Sequence, residues 1–367
     1  MQGYSATTMD RSSPPLNVAD YAALANELLP AGPLDYFNGG AADENTLREN
    51  ASAWARIKLQ PRVCVDVSSL SSATTVLGQP LAAPIIVAPT ALQRMAHEEG
   101  EAGMARAADA AGSLMVCSTL ASTSLAEIAA AAPDGQRWLQ LYLCRDRAVS
   151  YALLEQGISA GVTAAVVTVD APYPGRRERD VRNNFVVPDD IDMPGVTAAL
   201  GRSAGLSVEE FFSIVDPSLD WLALEEFIAR SPVPVLIKGI QSPEDARLAC
   251  DHGVAGVIVS NHGGRQLDNA VATADILAAV VDAVAGQVEV LVDGGIRRGS
   301  DICAALALGA QAVLVGRPAL WGLTVGGSTG AEDVLKLLAA EFELAMALLG
   351  ARVPAELTRA HIAPPRT

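Results

Sequence analysis

Cysteine and basic charge are both scarce in this chain, and long apolar runs are missing altogether. Only five cysteines occur in 367 residues: Cys64, Cys117, Cys144, Cys250 and Cys303. They are widely spaced, form no C-x-x-C pair and mostly sit inside apolar runs. That pattern excludes a disulfide framework and reads as reduced core thiols of a cytoplasmic protein. No cluster of metal ligands is evident. Lysine and arginine number 26 against 42 acidic residues, a formal net charge of −16. Nucleic acid is therefore excluded as a partner, because phosphate backbones are held by surplus basic side chains. No apolar run approaches the ~18 residues needed to span a bilayer, so no membrane partner is expected. The opening "MQGYSATTMDRSSPP" lacks the apolar centre of a secretory signal, and residues 1–16 read as a disordered leader ahead of one domain over 17–367.

Half of the residues are hydrophobic, enough for a large core. They are organised as a repeating unit, a short apolar run ending in a polar residue or glycine and then an Ala-rich segment with helical spacing. Eight runs follow this form: "PIIVAPT" (84–90), "LMVCST" (114–119), "WLQLY" (138–142), "AAVVTVD" (164–170), "VPVLIKG" (233–239), "AGVIVSN" (255–261), "VEVLVDGG" (288–295) and "QAVLVGR" (311–317). Continuous rather than alternating apolar character marks strands buried on both faces, as in a parallel sheet covered by helices. The count predicts an α/β fold of the (β/α)8 barrel type. A doubly wound sheet would read similarly, but no G-x-G-x-x-G follows the first run. Residues 17–81 form an N-terminal extension with a helix in "VADYAALANELLP", placed to cap the barrel bottom or edge. A long loop, 171–232, follows the fourth strand and reads as a lid or a disordered segment.

Barrel enzymes carry their chemistry at the C-terminal ends of strands. Here those ends bear Thr90, Ser118, Gln140 with Tyr142, Thr168 with Asp170, Lys238, Ser260 with His262 and Arg265, Asp293, and Gly316 with Arg317. Any one of these could be a cap or turn residue, but packing does not explain the whole ring. "DGGIRRGSD" and "VGRP" place glycines and arginines where barrels cradle phosphate. Tight turns alone would account for Gly294, Gly295 and Gly316, but not for Arg297 and Arg317. Lys238 ends an apolar strand and needs an anionic or covalent partner, either a Schiff-base carbonyl or a cofactor ring that gains negative charge.

The motifs "SNHGGRQLD", "VDGGIRRGSD", "LVGRP", "TVDAPYPGRRERDVRN", "APTALQRMAHEEGE" and "LDYFNGGAADENTLREN" together resemble the FMN-dependent 2-hydroxy acid oxidases and dehydrogenases. The family includes glycolate, lactate and mandelate oxidising enzymes, and the resemblance runs from about residue 21 to 362. It implies FMN as cofactor, His262 as active-site base and Asp170 as the carboxylate that orients it. It also implies Arg177 and Arg265 as the clamp on the substrate carboxylate, with Tyr36 and Tyr142 as phenols on the substrate. For the cofactor it implies Ala88, Pro89, Thr90, Ser118, Gln140 and Thr168 around the flavin ring and Lys238 at its N1/O2 edge. Ser260 and Asp293 then fall beside the ribityl chain, and Gly295, Arg297, Gly316 and Arg317 around the phosphate. Arg176, next to Arg177, is the alternative for the clamp. His97, His252 and His361 lie away from strand ends and read as structural.

Two departures from the family pattern bear on the substrate. Leu120 stands where glycolate oxidases carry a tryptophan, which widens the pocket for a lactate-like or mandelate-like acid. Phe37 stands where a second tyrosine is common. The mixed, partly acidic character of residues 189–218 does not match the apolar anchor of membrane-bound relatives, which favours an oxidase that passes electrons to O2 and releases hydrogen peroxide. A soluble dehydrogenase with another acceptor is the alternative, and a flavin-barrel isomerase a further one. The resemblance also implies a homo-oligomer, a tetramer.

Overall fold

The eight apolar runs assemble into one closed barrel of parallel strands in the computed structural model, which describes residues 14–203 and 205–364. Residues 1–13, most of the expected leader, lie outside the described residues. An antiparallel hairpin, β1 (Thr74–Val76) and β2 (Gln79–Leu81), precedes the barrel. The barrel strands are β3 (Ile85–Val87), β4 (Leu114–Cys117), β5 (Arg137–Leu141), β6 (Ala165–Thr168), β7 (Val235–Ile240), β8 (Gly256–Val259), β9 (Glu289–Val292) and β10 (Ala312–Val315). Each pairs with the next, and β10 closes onto β3 with Val313 opposite Ile85.

Side chains alternate across a strand, so a closed barrel sends every second residue inward. Ile86, Leu114, Val116, Trp138, Val166, Leu236, Ile258, Leu291 and Leu314 form the inner cluster. Their neighbours, among them Val87, Met115, Leu139, Val167 and Ile237, pack outward under the helices in the main core. Two residues beyond the inner apolar layer come Ala88, Ser118, Gln140, Thr168, Lys238, Ser260, Asp293 and Gly316. The barrel thus changes from apolar to polar within one step of the strand repeat.

The N-terminal extension serves both ends of the barrel. Val76 and Leu81 of the hairpin join the inner cluster, and the Leu77 N–H donates to Glu289 at the start of β9 (2.9 Å), which closes the N-terminal end. Helix α1 (Val18–Leu28), capped by the Asn17 side chain, lies on the last long helix, where the Tyr21 hydroxyl reaches Asp333. Helices α2 (Ala31–Asn38) and α3 (Asn45–Arg56) approach the opposite end. There the Thr46 N–H donates to Asp268 (2.9 Å), and Asn50 and Asn261 exchange amide hydrogen bonds of 2.8 and 2.7 Å while buried.

The long segment after β6 differs from the expected lid or disordered loop. It folds into the helices Glu178–Arg182, Pro194–Ala199, Val208–Ile214 and Trp221–Arg230. Ser207 and Glu210 form a capping box, and Asp220 caps the last helix through the Ala223 N–H. Burial of Met193, Val196, Phe211, Leu224 and Phe227 fixes the segment against the barrel, because ordering the chain is offset by apolar area removed from water.

The reciprocal Asn50–Asn261 pair ties α3 to the loop that follows β8. Asn50→Ala removes both of these bonds while Asn261 keeps the Val271 carbonyl and the Gly264 N–H, and it should lower stability by about 1–3 kcal/mol. A denaturant titration measures this, and an unchanged midpoint would show that the pair carries no weight.

Candidate active site

The polar layer opens into one cavity at the C-terminal end of the barrel. Its lining includes nearly every site residue expected from the sequence: Tyr36, Ala88, Pro89, Thr90, Ser118, Leu120, Gln140, Tyr142, Thr168, Arg177, Lys238, His262, Arg265, Asp293, Gly295, Arg297, Gly316 and Arg317. Asp170 and Ser260 stand just behind the wall. Arg176 and the other three histidines are not part of the lining. His252 stacks on Trp221 and pairs with Glu225, which accounts for it structurally.

His262 follows β8 with φ 58°, and Gly263 and Gly264 continue in the left-handed region. A Cβ at Gly264 would lie 2.5 Å from the Leu47 N of α3, so only glycine fits there. This turn points the imidazole at Asp170, with Nδ1 3.0 Å from Oδ1. Burial pushes the Asp170 carboxyl up, but His262 and then Lys238 outweigh it and hold it below its usual value. Asp170 is therefore an anion held against Nδ1, and this contact leaves the other imidazole nitrogen clear of it.

Arg177 and Arg265 approach one ring from separate loops. Their guanidinium carbons lie 5.2 and 5.1 Å from the Tyr36 centroid. Arg265 donates to the carbonyls of Tyr36 and Gly39, and Tyr36 stacks on Phe185 at 5.1 Å. Burial, then the Arg177 charge, pulls Arg265 down to about 10. Tyr142 sits against Phe211 and Phe212, and burial followed by Asp170 holds its hydroxyl well above the usual range, so it remains a donor.

The barrel floor carries a second charged group. Lys238 Nζ is 3.0 Å from Asp293 Oδ2 and donates to Ser260 Oγ at 2.8 Å. Burial pulls the ammonium down, but Asp293 and Asp170 outweigh it, so Lys238 is a fixed cation. Ser260 Oγ also accepts from the His262 N–H (3.1 Å), which couples the lysine to the histidine loop. Gln140 donates to Thr168 Oγ1 at 3.0 Å and orders the wall between β5 and β6.

At the ends of β9 and β10 the site is built for an anion. Gly294 and Gly295 have φ of 90° and 87°, and a Cβ at Gly295 would lie 2.2 Å from the Asn50 carbonyl oxygen. Arg317 donates to the carbonyls of Phe37, Gly39 and Gly263, and Arg297 lies 4.9 Å over the Trp321 ring. Among the described residues, Arg265, Arg297 and Arg317 have no carboxylate in ion-pair contact. Burial brings Arg297 to about 10, and Arg317 is lowered by burial and then by Arg265 and Arg297. Cations gathered this closely without counter-ions await anionic ligands. Arg297 and Arg317 are of the charge that could hold an FMN phosphate, and the buried Asp293 Oδ1, which has no hydrogen-bond partner, could accept from a ribityl hydroxyl.

Sequence reasoning did not reach several wall residues. Val208 and Phe212 come from the long segment, and Pro174 and Gln266 from the flanking loops. Gln266 accepts from the Gly175 N–H and donates to the carbonyls of Asp170 and Tyr173, which stitches the Asp170 loop to the His262 loop. Its place beside His262 and Arg265 in "NHGGRQLD" was the one available signal.

Comparison with known proteins agrees with this geometry. Residues 25–364 match the family described as FMN-dependent dehydrogenase. The chain is 47% identical over 351 residues to an L-lactate oxidase from Nostoc sp., covering 93% of this chain and 96% of that protein. It is 48% identical to a peroxisomal (S)-2-hydroxy-acid oxidase from Oryza sativa subsp. japonica, covering 95% and 96%. A crystal structure of mandelate oxidase superposes with TM-score 0.88 at 41% identity, covering 94% of this chain and 98% of that one. With a closed barrel, a polar ring at its mouth and these relatives, the chain belongs to the FMN-dependent dehydrogenase family.

Proposed function

We propose that this chain is an FMN-dependent oxidase that converts an (S)-2-hydroxy acid to the 2-oxo acid and reduces O2 to hydrogen peroxide. The observation that carries the reading is the sharing of one cavity by the His262–Asp170 pair, two arginines on a single tyrosine and a buried lysine. When bound, FMN supplies the two-electron acceptor that passes those electrons to O2. Ala88, Pro89, Thr90, Ser118, Gln140 and Thr168 would line its ring, Lys238 its N1/O2 edge, Ser260 and Asp293 its ribityl chain, and Gly295, Gly316, Arg297 and Arg317 its phosphate.

The substrate's carboxylate is held by Arg177 and Arg265, whose planar guanidiniums match its two oxygens. Tyr36 and Tyr142 donate hydrogen bonds to the bound acid. His262 accepts a substrate proton on its free ring nitrogen, and the Asp170 anion at Nδ1 stabilises the imidazolium that forms. Leu120, Val208 and Phe212 wall the side group, which favours a lactate-like or mandelate-like acid over glycolate. No described helix is long and apolar enough to cross a membrane, and the five free cysteines support a reducing, cytoplasmic setting. Exposed Val63, Val65, Leu344 and Leu348 support assembly into a homo-oligomer, which the family likeness suggests is a tetramer.

His262→Ala should retain the yellow flavin yet slow its anaerobic bleaching by (S)-lactate or (S)-mandelate about 100- to 10,000-fold. Stopped-flow absorbance reads this directly, and bleaching at the normal rate would remove the base assignment. Arg177→Leu should weaken substrate binding by about 2–5 kcal/mol while leaving FMN in place. Loss of cofactor to the same extent would contradict the clamp. Leu120→Trp should move the kcat/KM preference toward glycolate, and an unaltered ranking of the three acids would sink the pocket argument.

A further inference from the structure

One half-buried carboxylate beside Arg177 has no place in the reaction described so far. Asp180 lies on the short helix Glu178–Arg182, one turn after Arg177. Its Oδ2 is 3.2 Å from Arg177 Nε, and both side chains are largely withdrawn from solvent, at 15% and 18% exposure. The contact falls on Nε, which leaves the two terminal nitrogens of the guanidinium for a carboxylate ligand. Asp180 Oδ1 is buried and has no hydrogen-bond partner. Here one oxygen orients the arginine and the other is bare.

We propose that Asp180 is a positioning residue that holds Arg177 through Nε and gives up its charge to a proton, on Oδ1, when the substrate carboxylate enters the clamp. The proposal rests on the reading of Arg177 and Arg265 as that clamp. Before binding, two guanidiniums and one carboxylate carry a net charge of +1. The substrate brings a second carboxylate to the same arginine, and two carboxylates sharing one site disfavour each other's ionisation. Proton uptake by Asp180 relieves that repulsion and leaves the 3.2 Å contact of Oδ2 with Nε in place.

The surroundings agree with this role. Burial pushes the Asp180 carboxyl above its usual value, although Arg177 and Arg265 pull the other way. Asp35 on α2 and Glu209 on the helix Val208–Ile214 face it and push in the same direction as burial. Arg179, the other cation nearby, is engaged by Glu44 and Asp35. Ligand binding thus shifts a group already inclined to take a proton, and by linkage carboxylate affinity is greatest at low pH and declines as Asp180 ionises.

The test is a titration of the FMN-loaded protein with benzoylformate, an unreactive 2-oxo acid, followed by flavin absorbance from mildly acidic to mildly alkaline pH. Asp180→Asn keeps an acceptor oxygen beside Nε but carries no charge, so it should bind benzoylformate about tenfold more tightly at neutral pH, with a flatter pH profile. Asp180→Ala removes the acceptor as well and should bind more weakly than Asn. Any contribution of His262 is common to all three proteins, so the difference between profiles belongs to Asp180. An Asn variant with wild-type affinity and wild-type pH dependence would overturn the proposal. Arg177→Leu, run alongside, separates the two ideas. If it leaves benzoylformate binding intact, the clamp reading itself has failed; if it abolishes binding while Asn matches wild type, only the role of Asp180 has.

Discussion

Everything at the mouth of this barrel depends on the two-residue alternation of eight parallel strands held in register. Closure through Val313 and Ile85 fixes which residues face the axis. Once Ile86, Trp138, Val166, Leu236, Ile258, Leu291 and Leu314 are committed to the inner layer, the positions two residues later must also face the axis. Those positions are Ala88, Gln140, Thr168, Lys238, Ser260, Asp293 and Gly316. A one-residue slip in β7 would turn Lys238 outward into the helix layer and put Ile237 at the mouth. The site is therefore no more tolerant of misregister than the core.

Charge is handled differently on the floor and at the rim of the cavity. On the floor, Lys238 and Asp293 neutralise each other, with Ser260 and Asp170 completing the set, so a cation persists where water is excluded. At the rim, Arg265, Arg297 and Arg317 are held by backbone carbonyls or an aromatic face, and burial draws them downward. Carbonyl oxygens orient a guanidinium without cancelling its charge. The protein thus keeps these cations together at a cost in self-repulsion, which bound anions of the kind proposed above would remove.

Much of this was legible in the sequence, for a physical reason. Parallel strands buried on both faces must be continuously apolar, so the eight runs stood out, and with them the ring of polar residues at their ends, which the structure gathers at one cavity. His262, Arg265, Lys238 and Arg317 were found that way. Val208 and Phe212 were not, because their helix is set by a local capping box and by burial against a distant strand end, and nothing in "SVEEFFSI" says which cavity it will wall. The hairpin over the barrel bottom was hidden for a similar reason. Val76 and Leu81 are ordinary apolar residues in a polar stretch until the barrel gives them an end to plug.

The N-terminal helices are as much a part of the active site as the barrel. Three successive left-handed residues, His262, Gly263 and Gly264, form a turn that costs backbone strain, roughly 1–3 kcal/mol for the histidine. The turn persists because Asn261 is locked to Asn50, the Gly264 carbonyl accepts from the Ala41 N–H, and Gly264 lies against Leu47 with no room to spare. The same helices deliver Tyr36 and the carbonyls of Tyr36, Phe37 and Gly39 that hold Arg265 and Arg317. His262, Arg265 and Arg317 thus all rest on a segment that contributes no barrel strand. Folding of α2 and α3 onto the barrel is what converts a ring of polar strand ends into a site with defined geometry.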